Sequence, residues 1–143
     1  MPHLVMLYTG QLDQEVEVGV LCRQLADAMI AVQDEAGKPV FPPGGTRVLA
    51  YPAPHYAVAD GGAAGRAVGG TGDYAFVYLN LRMARGRSEA TQQRAGQMLL
   101  QVAQAFFAQA MARRHIGITL QIDEGAEVFD AKHSNLHPLF RPA

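Results

Sequence analysis

The first eight residues, Met1-Pro2-His3-Leu4-Val5-Met6-Leu7-Tyr8, decide the fold of this 143-residue chain. The run is short, mostly apolar and free of glycine, which predicts a buried strand. Proline is tolerated at the start of a strand because no ladder N–H is needed there. The rest of the chain is therefore expected to be organised around this buried strand.

Pro2 suggests a chemical role because it directly follows the initiator methionine, which is usually removed before so small a residue. Removal would leave a secondary amine at the head of the strand. An α-amino group has a reference pKa of about 7.7–8.0, and burial or nearby cations would lower it. Such a base suits proton transfer near neutral pH. If Met1 is retained, the Pro2 nitrogen is a tertiary amide and this hypothesis fails, and many chains begin Met-Pro without using it.

Composition predicts one globular domain without nucleic-acid or membrane partners. Apolar residues make up 49% of the chain and charged residues 17%, with a formal net charge of −1. The single cysteine, Cys22, excludes an internal disulfide and gives no zinc pattern. The sequence contains neither a long apolar run nor a signal peptide, so we expect a cytoplasmic protein.

The first half of the chain predicts a β-α-β unit. Asp13 is expected to cap a helix over residues 13–36, in which Leu21, Leu25, Ala28 and Val32 form one stripe. A second strand is predicted over residues 46–51, ended by prolines 52 and 54. The two strands should be parallel, with a right-handed crossover.

The second half repeats this plan. It has a strand over residues 73–83 that is apolar on both faces and therefore central, a helix over 88–114 capped by Ser88, and a half-buried strand over 116–123. The chain is thus predicted to be a single α+β domain, residues 1–143. Two duplicated β-α-β units share one mixed four-stranded sheet with two helices on one face. Residues 61–72 are expected to be a flexible Gly-rich loop, and 124–143 an irregular C-terminal arm.

The long helix carries more apolar surface than one sheet face requires. Two adjacent stripes can be traced along it: Ala95, Leu99, Val102, Phe106 and Ala110, and beside them Leu100, Ala103, Phe107 and Met111. This width favours contact with a second subunit, although a well-buried helix in a monomer is the alternative.

Several stretches together resemble the 5-carboxymethyl-2-hydroxymuconate isomerases of the tautomerase superfamily. Pro2-His3 opens the chain, and residues 41–48 (Phe-Pro-Pro-Gly-Gly-Thr-Arg-Val) are similar to that family's Phe-Pro-x-x-Gly-x-Arg segment. The remaining stretches follow in the family's order: Ala59-Asp60-Gly61, residues 73–77, Gly86-Arg87-Ser88 and Asn135-Leu136-His137. The similarity extends over nearly the whole chain.

The resemblance implies a homotrimer and a cofactor-free, metal-free isomerase of aromatic-acid catabolism. Its N-terminal proline, Pro2 here, would move a proton within an unsaturated 2-hydroxy or 2-oxo polycarboxylate. The family's functional arginines match Arg47 and Arg87. Guanidinium groups bind carboxylates and steady a developing enolate. Arg82 and Arg85 are expected to lie in solvent.

Three histidines are not expected to belong to the catalytic site. His3 should face away from Pro2 in an alternating strand, which favours a structural role. His133 and His137 have the spacing of a metal pair on a helix, but no further ligand accompanies them.

Departures from the family's pattern leave alternatives open. Residues 61–72 are longer than usual, Ala131 stands where a phenylalanine is usual, and Ser134 replaces an asparagine. The substrate could therefore be a different small unsaturated acid, handled by a tautomerase or dehalogenase. A non-catalytic trimer that keeps the fold is the remaining alternative.

Overall fold

The computed structural model describes residues 2–141, and in it four strands form one mixed sheet. The strands are β1 (His3–Thr9), β2 (Arg47–Ala53), β3 (Ala75–Ala84) and β4 (Ile116–Gly125). Their order is β2-β1-β3-β4. β1 is parallel to β2, β3 is parallel to β4, and β1 is antiparallel to β3. The predicted pair of β-α-β units sharing one mixed sheet is confirmed, and β1 and β3 are its central strands.

Helices α1 (Val18–Ala31) and α3 (Glu89–Met111) pack on the same face of this sheet. They contact each other, with α1 against β2 and α3 against β4. Alternate residues of the central strands point at the helices and are buried there: Leu4, Met6 and Tyr8 of β1, and Val77, Leu79 and Leu81 of β3. The core is therefore a single layer between sheet and helices.

The opposite face of the sheet is covered by no helix of residues 2–141 and is partly apolar. Leu7, Leu49 and Tyr51 lie on this face and are 48%, 45% and 51% exposed. An exposed apolar patch of this kind is typical of a surface that meets another protein chain. We call this surface the open face.

The first helix is shorter at both ends than the sequence predicted. Asp13 lies in a 3-10 turn, Gly10–Gln14, and its carboxylate accepts a hydrogen bond from the Tyr8 hydroxyl at 2.6 Å instead of capping a helix. The helix ends at Ala31 because Val32 is already extended and buried in the core. Asp34 then accepts hydrogen bonds from backbone N–H groups of the turn that follows.

The second strand continues through Pro52 to Ala53, so the prediction that Pro52 ends it is wrong. The strand lies at the edge of the sheet, with β1 on one side only. Proline is accepted there because the missing N–H removes no ladder bond on the open side.

The predicted cap of the long helix is confirmed, but its buried residues do not follow a single predicted stripe. Ser88 Oγ accepts the Thr91 N–H at 3.1 Å. The buried residues of the helix come from both predicted stripes and also include Thr91: Thr91, Ala95, Leu99, Ala103, Phe107 and Ala110. Val102 and Phe106 are only partly buried, and Met111 at the end of the helix is 47% exposed. Contact of this helix with a second subunit stays a prediction.

Residues 61–72 contain a helical turn that the glycine-rich composition did not predict, α2 (Ala63–Ala67). Asp60 accepts hydrogen bonds from the N–H groups of Gly62 and Ala64, both at 2.9 Å, and the Tyr74 hydroxyl accepts the N–H of Gly65 at 2.8 Å. The mobility of the segment stays a prediction, but these contacts define one conformation for it.

Two glycines of this segment test whether that conformation is populated in solution. Gly62 and Gly69 both have positive φ, +106° and +88°, where an alanine costs about 1–2 kcal/mol. A Cβ at Gly62 would lie 2.3 Å from the carbonyl oxygen of Gly72, whereas one at Gly69 meets nothing within 4 Å. Gly62→Ala should therefore lower the free energy of unfolding clearly more than Gly69→Ala, as measured by urea denaturation. Two variants as stable as the parent would show that the segment is mobile.

Candidate active site

Three cationic or titratable side chains form a row across the open face at one end of the sheet. His3 of β1 is in register with Arg47 of β2 and with Arg82 of β3. Residues paired in register point to the same side of a sheet, so all three side chains lie on the open face. Sequence patterns alone gave no reason to group Arg82 with the other two. Its side chain is exposed, as predicted, and it also lines a cleft.

The C-terminal arm turns this row into a cleft of about 450 Å³. The sheet contributes His3, Arg47, Arg82 and Met83, and the arm contributes Glu127, Asp130, Ala131, Lys132, His133, Ser134 and His137. The two positions at which the sequence departs from the family pattern, Ala131 and Ser134, thus both line the cleft.

The arm is held in place by a glycine in the segment that leads into β2. Gly44 is buried in the turn Pro43–Gly45, and a Cβ there would come within 3.2 Å of the Phe140 ring and 3.4 Å of His137. The arm's 3-10 turn, His137–Phe140, therefore packs directly on backbone. The family-like segment that delivers Arg47 to the row is also the platform for the arm.

The His3 imidazole lies in an electropositive, partly buried position. Its Nδ1 is buried and makes no hydrogen bond with any of residues 2–141. Burial, with the positive charges of Arg47 and Arg82, lowers the pKa of His3 below 6.5. The ring is therefore neutral at pH 7.

The acidic groups of the cleft are partly neutralised by its lysine. Lys132 Nζ forms an ion pair with Asp130, and the hydrogen bond from this lysine lowers the pKa of the Asp130 carboxyl. Both side chains are about half exposed, so the pair contributes little to stability.

Pro2 immediately precedes this row and is buried. Alternation along β1 places its ring on the helix side with Leu4 and directs His3 to the open face, as the sequence suggested. Met1 lies outside the described residues, and the Pro2 nitrogen is an amine if Met1 is removed and an amide if it is retained.

Arg87 lies in another part of the surface, beside Val40 and Ser88. Its guanidinium donates to the carbonyl oxygens of Ala84, at 3.0 Å, and Val40, at 3.1 Å, and stacks 5.4 Å from the centre of the Phe41 ring. These contacts tie the end of β3 to the segment before β2. The structure does not bring Arg87 into the cleft with His3 and Arg47.

Two further observations bear on what the site could bind. Within residues 2–141, no group of three or more His, Cys, Asp or Glu side chains could hold a metal ion. None of the helices in that range is long and apolar enough to cross a membrane.

The electrostatic coupling of the row can be measured directly. Because Arg47 and Arg82 both lower the pKa of His3, Arg47→Ala should raise it toward 6.5 and Arg82→Ala should raise it less. Arg85 does not line the cleft, so Arg85→Ala should leave it unchanged. NMR titration of the histidine ring protons provides these pKa values. A His3 pKa that changes in neither Arg47→Ala nor Arg82→Ala would contradict the described geometry.

The same shift predicts how stability depends on pH. The unfolded histidine keeps a pKa of about 6.5 and binds more protons than the folded one just below that pH. The contribution of His3 to the free energy of unfolding is therefore complete above pH 6.5 and is lost as the pH falls below that value. His3→Gln should flatten this part of a plot of unfolding free energy against pH, and an unchanged slope would contradict the lowered pKa.

Comparison with known proteins gives a consistent family. The model of the 5-carboxymethyl-2-hydroxymuconate isomerase family matches residues 2–140. A 5-carboxymethyl-2-hydroxymuconate Delta-isomerase of Escherichia coli is 26% identical over 141 residues, which is 99% of this chain and all of the relative.

Solved structures agree with this match. A crystal structure of a 5-carboxymethyl-2-hydroxymuconate delta-isomerase is 62% identical, with a TM-score of 0.97 over all of this chain and 95% of that one. A 5-carboxymethyl-2-hydroxymuconate isomerase of Deinococcus radiodurans R1 is 30% identical, with a TM-score of 0.80 over 99% of this chain and 95% of that one. A fused 4-OT trimer, at 14% identity and a TM-score of 0.57 over 97% of this chain and 99% of that one, shares the fold. The resemblance found in the sequence is confirmed: this chain is an isomerase of the 5-carboxymethyl-2-hydroxymuconate isomerase family.

Proposed function

We propose that this protein is a cofactor-free isomerase that uses the amine of Pro2 to move a proton within an unsaturated 2-hydroxy or 2-oxo polycarboxylate of the 5-carboxymethyl-2-hydroxymuconate type. The observation that carries the proposal is the position of Pro2. It is buried at the head of a central strand, one residue before a row that contains two arginines. The family relationship supplies the class of substrate and the setting of aromatic-acid catabolism.

The proposed reaction needs one base and one stabilised anion. The neutral Pro2 amine takes a proton from the hydroxyl group of a 2-hydroxy substrate or from an acidic carbon of a 2-oxo substrate, and the electron pair left behind is delocalised as a dienolate. The protonated amine then returns the proton to another carbon, which moves the double bond and restores the free amine. No atom is gained or lost, so no co-reactant is required.

Arg47 is proposed to stabilise the charge that develops on the dienolate oxygen. It lies in the cleft beside His3, the residue that follows Pro2. A guanidinium is always protonated and offers paired N–H donors to an oxyanion. Stabilisation that is greater in the transition state than in the bound substrate raises kcat.

The resemblance predicts Arg87, like Arg47, as a functional arginine, but the contacts of Arg87 favour a different role. Two of its N–H groups are directed at the Ala84 and Val40 carbonyls, which fixes the turn between β3 and α3. We therefore assign Arg87 to holding this turn and assign the arginines of the cleft to the substrate.

Substitutions separate these roles. An added residue ahead of Pro2 converts the amine to an amide and should abolish turnover without affecting folding. Pro2→Ala leaves a primary amine and should lower kcat without eliminating it. Ultraviolet absorbance assays on 2-hydroxymuconate-type substrates provide the rates. Full activity of the extended protein would contradict the role of Pro2.

The two arginines should differ in what they affect. Arg47→Ala should lower kcat tenfold or more at unchanged melting temperature, because it removes an interaction with the reacting group. Arg87→Ala should lower the melting temperature by several degrees, because it leaves two carbonyls without their donor. A stable Arg87→Ala variant with raised KM would restore Arg87 to the substrate site.

We also propose that the chain assembles as a homotrimer through the open face. The exposed apolar residues Leu7, Leu49 and Tyr51 support this assembly. Light scattering should give three times the chain mass. Leu49→Glu should dissociate the assembly, whereas Val20→Glu, which changes an equally exposed residue of α1, should not. A monomeric parent protein at micromolar concentration would contradict the proposal.

A further inference from the structure

His3 lies among the groups that carry the proposed reaction, but the reaction as described gives it no role. It directly follows Pro2 along β1 and lies in register between Arg47 and Arg82. Consecutive Cα atoms are about 3.8 Å apart and neighbouring strands about 4.8 Å. The backbone of His3 is therefore at least as close to Pro2 as the backbone of Arg47 is.

The direction of the His3 side chain is compatible with a place beside the reacting atoms. The alternation of β1 turns it away from the Pro2 ring, which by itself favours a structural role. The reactive atom of Pro2, however, is its backbone nitrogen, and a backbone atom belongs to neither face of a strand. His3 lines the same cleft as Arg47. Its side chain is therefore available to a substrate that Pro2 attacks.

The hydrogen bonding of the His3 ring indicates which nitrogen carries its proton. The ring is neutral at pH 7, so only one of its two nitrogens is protonated. Nδ1 is buried and has no hydrogen-bond partner within residues 2–141. A buried N–H group without an acceptor is rarer in proteins than an acceptor without a donor. This assigns the proton to Nε2, and the half-buried ring presents its Nε2 end to the cleft.

An uncharged donor has a use in this cleft that a further cation would not have. The carboxylates of the substrate are charged throughout the reaction and suit guanidinium groups. The oxygen at carbon 2 differs from them, because it is uncharged in the substrate and becomes anionic in the dienolate. A fixed neutral N–H group binds this oxygen more strongly as its charge develops, so it stabilises the transition state more than the bound substrate.

From this arrangement we propose that His3 is a further catalytic residue, which donates a hydrogen bond from a neutral Nε2–H group to the dienolate oxygen and acts there together with Arg47. The proposal rests on the proposed function, in which Pro2 moves the proton. His3 keeps its own proton throughout, so the balance of the reaction is unchanged. The imidazole is a hydrogen-bond donor in this account and not a second base.

Three substitutions at His3 separate this role from a structural one. The amide of Gln places an N–H group near the position of Nε2, the shorter amide of Asn places one near Nδ1, and Leu offers none. His3→Asn and His3→Leu should each lower kcat about a hundredfold with KM nearly unchanged, because an oxyanion donor is lost. His3→Gln should lower kcat by less than about tenfold, because the donor is kept. A His3→Gln variant as slow as His3→Leu, or a His3→Leu variant as fast as the parent, would overturn the proposal.

Nitrogen NMR of the parent protein labelled with ¹⁵N-histidine tests the proton assignment without any substitution. At pH 7, Nε2 of His3 should resonate in the region of a protonated ring nitrogen and Nδ1 in the region of an unprotonated one. The reverse pattern would place the proton on the buried nitrogen and would overturn the proposal. This measurement is independent of whether a His3 variant folds.

Oxalate tests the proposed contact without turnover. Its adjacent carboxylates copy the arrangement of the carboxylate and the anionic oxygen in a dienolate of a 2-oxo acid. Oxalate should shift the Nε2 signal, and its Kd should rise about tenfold in His3→Leu but clearly less in His3→Gln, because a hydrogen bond to a charged group is lost only in the first. A parent protein that does not bind oxalate, or equal Kd values in the parent and His3→Leu, would overturn the proposal. Because binding involves no proton transfer, a failure of Pro2 to act as base would appear only in the activity assays.

Discussion

The register of β1 between its two neighbours is the constraint on which the site depends. Pairing with β2 and β3 places Arg47 and Arg82 on either side of His3 and leaves Pro2 at the buried head of the strand. Side chains alternate along a strand, so a slip of one residue in either pairing would send an arginine to the helix side. The buried alternation of Leu4, Met6 and Tyr8 against the helices prevents such a slip. The hydrophobic core thereby fixes the geometry of the polar cleft on the opposite face.

The sequence specified the strands and the long helix well, because their periodicity is set by the burial of one face. It was less informative where a side chain forms a hydrogen bond to a nearby group of the chain. The hydrogen bond from Tyr8 to Asp13 replaces the expected helix cap, and the strand continues through Pro52 because its outer edge is unpaired. The turn α2 depends on contacts of Asp60 and Tyr74 with backbone N–H groups, which composition does not reveal.

The candidate site was predicted only in part, for a similar reason. Pro2 and Arg47 could be found from motifs, because each is close in sequence to the feature that positions it. Arg82 could not be grouped with them, because its place beside His3 depends on an antiparallel pairing between residues 79 positions apart. Arg87 matched a motif, yet its guanidinium is directed at backbone carbonyls and the Phe41 ring. A motif identified the residue, and the structural role proposed for it rests on these contacts.

The central claim is that Pro2 carries a free amine beside this cleft. Nitrogen NMR of protein labelled with ¹⁵N-proline tests it most directly, since an amine and an amide nitrogen resonate in different regions. A free amine should give a Pro2 signal in the amine region that shifts as the pH is varied through neutrality, and that responds to muconate binding. A signal in the amide region that is insensitive to pH would show that the nitrogen is acylated, and would contradict the proposed mechanism.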